Sequence, residues 1–215
     1  MITVMSESAH PSSGRGAEAA RNDERILQAA REVFVADPDA PIAAVAARAG
    51  VGISALYRRY ESKEVLLRRL CADGLARYIA AAEEAVADEG PPWEAFASFL
   101  RRAVDAESTA LTLRLAGTFQ PTEELYGEAA RARQLSERLF ERTMAAGVLR
   151  PDIAVDDISL VLEQLAAIRL GDQSRTRQLR HRYLALILDG LHAPGTTPLP
   201  GPPPDWQELL ERWEY

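Results

Sequence analysis

Cysteine is nearly absent from this chain of 215 residues, and histidine is sparse. Cys71 is the only cysteine, and the three histidines, His10, His181 and His192, are scattered along the sequence. A single thiol cannot form a disulfide within the chain, and the histidines lack the spacing of a metal site. We therefore predict no metal site and no cofactor. Cys71 itself is expected to be a small buried hydrophobic residue rather than a redox switch.

Long hydrophobic runs and catalytic motifs are also missing. The apolar stretches fall well short of the about 20 residues that a membrane span needs, and residues 1–16 lack the hydrophobic core of a secretory signal. We therefore expect a cytoplasmic protein with no membrane partner. We find no nucleophile motif, and Gly50-Val51-Gly52 lacks the strand context of a phosphate loop. The protein is accordingly predicted not to be an enzyme and to have no catalytic residues.

Lysine is nearly absent and the chain is acidic overall, but its positive charge is concentrated in one stretch. The chain has a net charge of −7 and a single lysine, whereas the segment from Arg48 to Arg69 has six basic and two acidic residues. That segment has a charge of +4, so the rest of the chain carries −11. A basic patch on an acidic body favours one orientation toward a phosphate backbone. A solvated, arginine-rich surface would have the same charge count.

The segment 41–63 has the pattern of two short helices joined at a glycine. Its apolar residues recur at helical spacing, stop at Gly50 and start again at Ile53. Gly50 supplies the positive φ that a tight turn between helices requires, and Ala46 is small where the two helices would cross. The second helix would present small, hydroxyl and guanidinium side chains outward, as a recognition helix in a DNA major groove does. Two amphipathic helices of an ordinary bundle would have the same apolar spacing.

Several spaced elements within residues 23–70 resemble the N-terminal domain of TetR-type transcriptional regulators. The matching elements are Arg25-Ile26-Leu27-x-Ala29-Ala30-x-x-x-Phe34, Val45-Ala46-x-x-Ala49-Gly50-Val51, Leu56-Tyr57-Arg58-x-Tyr60 and Ser62-Lys63-Glu64-x-Leu66. The resemblance implies an all-α fold with an N-terminal three-helix helix-turn-helix domain, followed by a C-terminal helical bundle for ligand binding and dimerisation. Residues 147–152 also resemble one branch of this family that has a characteristic C-terminal domain.

The resemblance places the DNA contacts in and around the second helix of the motif. The predicted DNA-binding residues are Arg48, Gly52, Ile53, Ser54, Ala55, Tyr57, Arg58, Arg59 and Lys63. By resemblance, Tyr57 and Lys63 contact phosphates. Arg58 and Arg59 either read guanine edges or bind phosphates. For Tyr57, packing against the preceding helix is the alternative role.

Three residues depart from the family pattern. Pro41 and Gly52 stand where Ser or Thr often opens the second and third helices, and Ala55 replaces a common Thr. Each departure loses a hydroxyl that would cap a helix or contact a phosphate. Proline at a first-turn position and glycine at a cap are both tolerated, so the fold is expected to survive these changes.

The chain divides into four segments, and its composition of 47% hydrophobic and 27% charged residues is ordinary for a globular protein. The predicted segments are a flexible N-terminal arm (1–21), the helix-turn-helix domain (22–68), the helical ligand-binding and dimerisation domain (69–193), and a Pro-rich linker with a C-terminal amphipathic helix (194–215). Helices are predicted at about 23–36, 62–87, 155–170 and 175–191, with a further long helix that ends before Gly147.

The helices after residue 90 carry aromatic and polar side chains that suit a small-molecule pocket of the kind implied by the family. The predicted ligand-binding residues are Trp93, Phe96, Leu100, Thr109, Thr112, Leu113, Phe119, Tyr126, Phe140, Met144, Glu163 and Gln164. The aromatic residues would line a cavity, and the polar residues would orient its occupant. Taken singly, each aromatic residue also fits the plain hydrophobic core. Glu163 and Gln164 also fit a solvated or partner-facing stripe.

The helices at 155–170 and 175–191 are apolar over wide arcs, so each has two surfaces to cover. We infer a two-fold homodimer with a four-helix interface. The helix-turn-helix domain of each subunit, called the head below, would read one half-site of an operator with dyad symmetry.

The end of the chain has its own helix signal. Asp205 and Glu208 are spaced like a capping pair at the start of an amphipathic segment. Such a short helix is marginal by itself, so we predict that it docks on its own body or on the partner subunit and braces the regulatory body.

Together these features predict a dimeric DNA-binding transcriptional regulator. Its partners would be double-stranded operator DNA, a second copy of the chain and an unidentified small-molecule effector. We expect a repressor that the effector releases from a palindromic operator through a shift between two head spacings. Activation from the same operator would use the same recognition chemistry. The alternative is a helical ligand-binding or scaffold protein without sequence-specific DNA reading.

Overall fold

The computed structural model describes residues 12–106, 118–193 and 197–210. In these residues the regular elements are α-helices. One isolated antiparallel bridge pairs Leu149 with His192. The helices are α1 (Ser12–Ala36), α2 (Ile42–Ala49), α3 (Ile53–Arg59), α4 (Lys63–Ala87), α5 (Pro92–Asp105), α6 (Glu123–Ala145), α7 (Val155–Ala167), α8 (Gln173–Leu191) and α9 (Trp206–Leu210). The predicted all-α fold is therefore confirmed. The chain forms two compact units, of which the first ends at Leu66 and the second begins at Leu67.

Helices α1, α2 and α3 form the core of the first unit. Helix α1 packs against α2, and α2 packs against α3. Phe34, Val45 and Leu56, one from each helix, are completely buried. This is the three-helix arrangement that the sequence predicts, and it gives the short helix α3 a packed support.

Helix α1 begins earlier than the sequence pattern indicates. The sequence predicts a flexible arm over residues 1–21 and a helix from about Asp23, whereas the helix in the structure begins at Ser12. Residues 17–20, Ala-Glu-Ala-Ala, have high helix propensity and extend α1 toward the N-terminus although they lack an apolar stripe. Helix α1 ends at Ala36, as predicted. Residues 1–11 lie outside the described part of the chain.

Helix α4 begins with a side-chain cap. Ser62 Oγ accepts a hydrogen bond from the backbone N–H of Val65 at 3.2 Å, and the helix begins at Lys63, one residue after the predicted start. It ends at Ala87, as predicted. The boundary between the two units lies within this helix at Leu66, slightly before the boundary predicted at residue 68.

The end of α4 is held by an arginine from α6. Arg142 donates hydrogen bonds to three backbone carbonyls there, those of Ala85 (3.1 Å), Val86 (3.1 Å) and Asp88 (2.8 Å). Carbonyl groups at a helix C-terminus have no partner within the helix, and a guanidinium can satisfy several of them at once. Arg142 thus joins α6 to the last turn of α4.

The second unit has an apolar core that draws on five helices, α4 to α8. Helix α5 packs against α6, α7 and α8 and is therefore central to this unit. The buried core residues include Ile79, Phe96, Phe99, Leu100, Leu135, Leu139, Ile158, Leu162, Leu165, Leu184, Leu188 and Leu191. Tyr78 of α4 stands edge-on to the ring of Phe99, with the ring centroids 5.2 Å apart.

Helix α6 ends at Ala145, as the glycine signal predicts. Gly147 adopts a φ of 69°, the left-handed conformation that favours glycine after a helix. The segment that follows is tied to the end of α8 by two backbone hydrogen bonds, Arg150 N to Leu191 O at 3.0 Å and Ala193 N to Val148 O at 2.9 Å.

Helix α7 is shorter than predicted. It ends at Ala167 rather than at residue 170, and Ile168 has an extended conformation. The reason is Arg180 of α8, a buried arginine that donates to the backbone carbonyls of Ala166 at 3.0 Å and Ile168 at 3.3 Å. These hydrogen bonds replace the ones that a longer helix would make, and they fix α8 against the end of α7.

The C-terminal helix α9 begins with the predicted capping pair. The backbone N–H of Asp205 donates to the Glu208 carboxylate at 2.8 Å, and the backbone N–H of Glu208 donates to the Asp205 carboxylate at 3.0 Å. This reciprocal arrangement is a capping box. The helix is described as far as Leu210, so Trp213 of the predicted apolar face lies outside the described residues.

Helix α9 docks on its own body. The Trp206 ring lies over the Arg133 guanidinium at 4.4 Å from the ring centroid, and Leu209 is buried. Arg133 is held in turn by the Asp156 carboxylate, with nitrogen–oxygen distances of 2.5 and 3.2 Å. Asp152 adds a second attachment, because its carboxylate accepts a hydrogen bond from the backbone N–H of Leu199 at 3.0 Å.

None of the helices in the described ranges is both long enough and apolar enough to cross a membrane.

Removing the Trp206 ring tests the docking of α9. We expect Trp206→Ala to lower the free energy of unfolding of the second unit by about 1–2 kcal/mol, because the cation–π contact with Arg133 is lost. Thermal and urea unfolding followed by circular dichroism measure the change. Gln207→Ala, an exposed neighbour in the same helix, is the matched control and should change stability little. Equal effects of the two substitutions would contradict the docking.

Candidate functional site

The turn between α2 and α3 is built on Gly50. This residue has φ 65° and ψ 36°, the left-handed conformation that the sequence predicts. Its N–H donates to Ala47 O at 3.2 Å, while the N–H of Val51 donates to Ala46 O at 3.0 Å. This pair of hydrogen bonds is a Schellman motif, which ends α2 and reverses the chain into α3.

Arg25 of α1 fixes the same turn from outside. Its Nη2 donates to the backbone carbonyl of Ala49 at 2.7 Å, so a guanidinium caps the C-terminus of α2. A Cβ atom added to Gly50 would lie 3.2 Å from that nitrogen. Both the backbone conformation and the neighbouring side chain therefore favour glycine at this position.

Helix α3 has one buried side and one exposed side. Leu56 and the following Tyr60 are buried, whereas Ser54, Arg58 and Tyr57 are exposed, with Tyr57 47% accessible. The polar side has hydroxyl and guanidinium groups suited to base edges and phosphates. The predicted outward orientation of this helix is therefore present in the structure.

The remaining predicted contacts at the start of α3 are small or apolar. Gly52 is the N-cap residue and is exposed, but it offers no side-chain hydrogen bond to the helix. Ile53 is exposed, and Ala55 is half-buried. These residues leave room for close approach of a partner but provide no side-chain polar contact.

Two basic residues near α3 already have partners on α1. Arg48 forms an ion pair with Glu32 at 2.5 Å. Arg59 forms a two-point ion pair with Asp23, from Nε to Oδ1 at 2.9 Å and from Nη2 to Oδ2 at 3.1 Å. The hydrogen bond and the charge of Asp23 raise the pKa of Arg59 above its usual value. Direct reading of DNA by Arg59, as the sequence suggests, thus has to compete with this pairing.

Lys63 is also engaged within the head. Its Nζ donates to the backbone carbonyl of Pro38 at 2.8 Å and lies 5.1 Å from the centroid of the Phe34 ring. Its side chain is half-buried. Arg58 differs from these neighbours, because it is exposed and makes no hydrogen bond or ion pair with any residue that the structure describes.

Five of the predicted ligand-binding residues belong to one apolar cluster of the second unit. Phe96 and Leu100 are buried in this cluster, and Trp93, Phe140 and Met144 pack against it while remaining half-buried. Trp93 also contacts the ring of His192 edge-on, with 4.6 Å between centroids. This cluster is the core of the second unit and draws on helices α4 to α8.

The other predicted ligand-binding residues are dispersed. Phe119 is buried outside that cluster, Glu163 is half-buried, and Tyr126 and Gln164 are exposed. A strongly exposed side chain does not line an enclosed cavity within one subunit, so Tyr126 and Gln164 fit that role less well than the others. Thr109, Thr112 and Leu113 lie outside the described residues.

Sequence reasoning did not find the polar contacts that cross between helices. The hydroxyl of Tyr78 is hydrogen-bonded to Ser136 Oγ at 2.8 Å inside the second unit, and burial raises the pKa of Tyr78. Burial likewise raises the pKa of Cys71 to about 12, which fits the inert role expected for that thiol. Partners such as Asp23 and Glu32 are far from Arg59 and Arg48 along the chain, and local spacing gives no signal for them.

Two parts of the chain match known protein families. Residues 26–70 match the family model for bacterial regulatory proteins of the tetR family, and residues 91–193 match that of the SbtR-like transcriptional regulator C-terminal domain. A TetR transcriptional regulator from Streptomyces coelicolor, SCO0520, is 30% identical in sequence, and the match covers 81% of this chain and 99% of that one with a TM-score of 0.52. The chain belongs to the TetR family.

Two further solved structures are similar to this TetR-family protein. A TetR regulatory protein from Mycobacterium vanbaalenii is 29% identical, and the match covers 82% of this chain and 98% of that one with a TM-score of 0.55. LfrR from Mycobacterium smegmatis, in a complex with proflavine, is 25% identical over 84% of this chain and 99% of that one, with a TM-score of 0.56. A comparison with curated proteins gives no match.

Family membership assigns the two units their general roles. The first unit is the DNA-binding helix-turn-helix of a TetR-family transcriptional regulator, and the second contains its ligand-binding domain. The protein is a transcription factor and not an enzyme.

The two glycines that flank Val51 make a matched pair for testing the turn. Gly50→Ala should lower the free energy of unfolding of the head by about 1–3 kcal/mol, since alanine disfavours a positive φ. Gly52→Ser should have no cost and should stabilise α3 slightly, because Gly52 has an extended conformation with open space around it and serine is a good N-cap. Urea unfolding of both variants measures the difference. Similar effects at the two glycines would contradict the turn geometry.

Proposed function

We propose that this TetR-family protein is a homodimeric repressor that an effector releases from a palindromic operator. The observation that carries the proposal is α3, whose polar side is exposed while Leu56 and Tyr60 anchor the opposite side. A helix supported in this way can enter a major groove, which is about 12 Å wide. The protein would act in the cytoplasm, where the chromosomal operator lies.

Residues on and beside α3 would divide the contacts between bases and phosphates. Arg58 is exposed and has no partner among the described residues, so its guanidinium is available for a guanine edge. Tyr57 and Ser54 offer hydroxyl groups to phosphates. Lys63 would exchange the Pro38 carbonyl for a phosphate oxygen, which is a stronger partner for an ammonium group.

A stripe on α8 supports dimerisation. Leu179, Tyr183, Leu186 and Gly190 follow one another at helical spacing on this helix. Leu186 is 60% exposed and Tyr183 is exposed, while Gly190 has open space beside it. Exposed apolar side chains in a row are costly in water, and a second copy of the same helix would cover them symmetrically. The glycine allows the two helix backbones to approach closely.

The apolar cluster of the second unit supports an effector site. Trp93, Phe140 and Met144 are half-buried at the edge of this cluster, so a flat apolar molecule could pack against them. The crystal structure of LfrR contains proflavine, a planar aromatic compound. We extend the same class of effector to this chain. Binding would favour a head spacing that no longer fits the operator.

Selection of genomic DNA tests the function as a whole. Sheared DNA from the source organism is incubated with the purified protein, and the recovered fragments are sequenced. A repressor of this kind should enrich a recurrent palindrome with half-sites one or more helical turns apart. Recovery of fragments without a common sequence would contradict the proposal and would favour a ligand-binding or scaffold protein.

Substitutions at Lys63 and Arg58 should separate phosphate contacts from base contacts. We expect Lys63→Gln to weaken binding to operator and unrelated duplex alike and to reduce the salt slope by about one, because one phosphate contact is lost. Arg58→Gln should cost about 1–3 kcal/mol on the operator and less on unrelated duplex. Fluorescence anisotropy across a salt series measures both. Arg101→Gln, on exposed α5 surface, controls for net charge.

Thermal unfolding of each variant shows whether the head remains folded, which matters because Lys63 also contacts Pro38. The assigned roles would be wrong if neither Lys63→Gln nor Arg58→Gln reduced duplex binding.

A charge placed in the α8 stripe tests the dimer. Leu186→Glu should raise the dimer dissociation constant by about a hundredfold, since two carboxylates would face each other across the two-fold axis in an apolar setting. Analytical ultracentrifugation over a concentration series measures the constant. Leu199→Glu introduces the same change at another exposed leucine, outside the stripe, and should leave the dimer intact. A wild-type protein that stays monomeric at high concentration would refute the interface.

A further inference from the structure

Asp23 lies at the junction of α1 with the end of α3. It is only 9% exposed, and its carboxylate is shared by two residues from the far end of the head. Oδ1 accepts hydrogen bonds from Arg59 Nε at 2.9 Å and from Tyr60 Oη at 2.6 Å, and Oδ2 accepts from Arg59 Nη2 at 3.1 Å. An almost buried carboxylate thus binds Arg59, the last residue of α3, and Tyr60, the C-cap residue of that helix.

We propose that Asp23 is the positioning residue for operator reading, holding α3 in register through Arg59 and Tyr60, so that Arg59 orients the recognition helix instead of reading DNA. The inference rests on the proposed function, because it concerns how α3 meets an operator. It assigns different roles to two adjacent arginines that the sequence alone cannot distinguish.

The length of α3 explains why such an attachment is needed. The helix has seven residues, and Leu56 is the residue of this helix that is buried. One apolar anchor allows a short rod to tilt or rotate about it. A carboxylate–guanidinium pair with two parallel hydrogen bonds fixes orientation as well as distance, and the Tyr60 hydroxyl adds a third bond from the residue that caps the helix.

Simple electrostatics and the positioning role predict opposite changes in operator affinity when the charge of Asp23 is removed. Asp23 places a negative charge beside a surface that would face phosphates, so by simple electrostatics its removal should strengthen binding to every duplex. If Arg59 were a phosphate contact held back by Asp23, removing Asp23 would also release it. The positioning role requires the opposite result on the operator, because a loosened α3 no longer presents Arg58 and Tyr57 in register.

The test compares wild-type protein with Asp23→Asn, Arg59→Gln and the double variant. Anisotropy gives the dissociation constants for the selected operator and for an unrelated duplex of equal length at the same salt concentration. We expect Asp23→Asn to lower the ratio of operator affinity to non-specific affinity by about tenfold, with non-specific affinity unchanged or higher. The double variant should lose no more of this ratio than either single variant, because both substitutions break one interaction.

Two further variants keep the test decisive. Tyr60→Phe removes a single hydroxyl from a buried ring and should lower the same ratio by about threefold without a change in charge. Arg58→Gln has the same charge change as Arg59→Gln and is the matched comparison. It should lower operator affinity in the wild-type background and cost less once Asp23 is Asn, because the loosened α3 already presents Arg58 out of register. Thermal unfolding identifies any variant whose head is not folded, and Tyr60→Phe then decides the question at the temperature of the binding assay.

The outcomes separate this inference from the proposed function. A wild-type protein with no preferred operator would refute the proposed function and the inference with it. A selective wild-type protein whose Asp23→Asn and Tyr60→Phe variants keep the full affinity ratio would refute the inference alone. Tighter operator binding by Asp23→Asn would also refute it and would identify Arg59 as a DNA contact that Asp23 masks.

Discussion

Helix α3 is seven residues long, and a helix of this length is not stable by itself in water. Its conformation and direction therefore depend on what holds it. Gly50 sets the turn before the helix, Leu56 anchors its middle, and Asp23 holds its end through Arg59 and Tyr60. The turn is bonded to α2 and Asp23 lies on α1, so the DNA-reading surface is a property of the whole three-helix unit.

The same constraint changes how the positive charge of the head should be understood. The segment from Arg48 to Arg69 is basic in sequence, yet Arg48 is paired with Glu32 and Arg59 with Asp23 in the folded head. Acidic side chains of α1 thus neutralise part of the patch, and the arginine that stays exposed on α3 without a described partner is Arg58. A surface with fewer uncommitted charges binds non-specific DNA less strongly, which favours discrimination by shape and base contacts.

The sequence predicts local features of this protein well and contacts between distant residues poorly. Helical periodicity and turn chemistry predicted the left-handed Gly50, the Ser62 cap and the Asp205–Glu208 capping box, because each depends on residues within one or two turns. The early start of α1 was missed, since alanine-rich segments extend a helix without an apolar stripe. The pairing of Asp23 with Arg59 spans 36 positions, and only the folded backbone brings these residues together.

Helix α4 has polar contacts at both of its ends. It begins at Lys63, which contacts Pro38 in the first unit, and its last turn is held in the second unit by Arg142 of α6. Tyr78 of α4 makes a second polar contact with α6 through Ser136. Helix α6 also carries Phe140 and Met144, which lie at the edge of the apolar cluster. Within the second unit, a displacement of α6 would therefore act directly on the end of α4. Hydrogen bonds to helix-end carbonyls are directional, so Arg142 constrains the orientation of the last turn of α4 as well as its distance from α6.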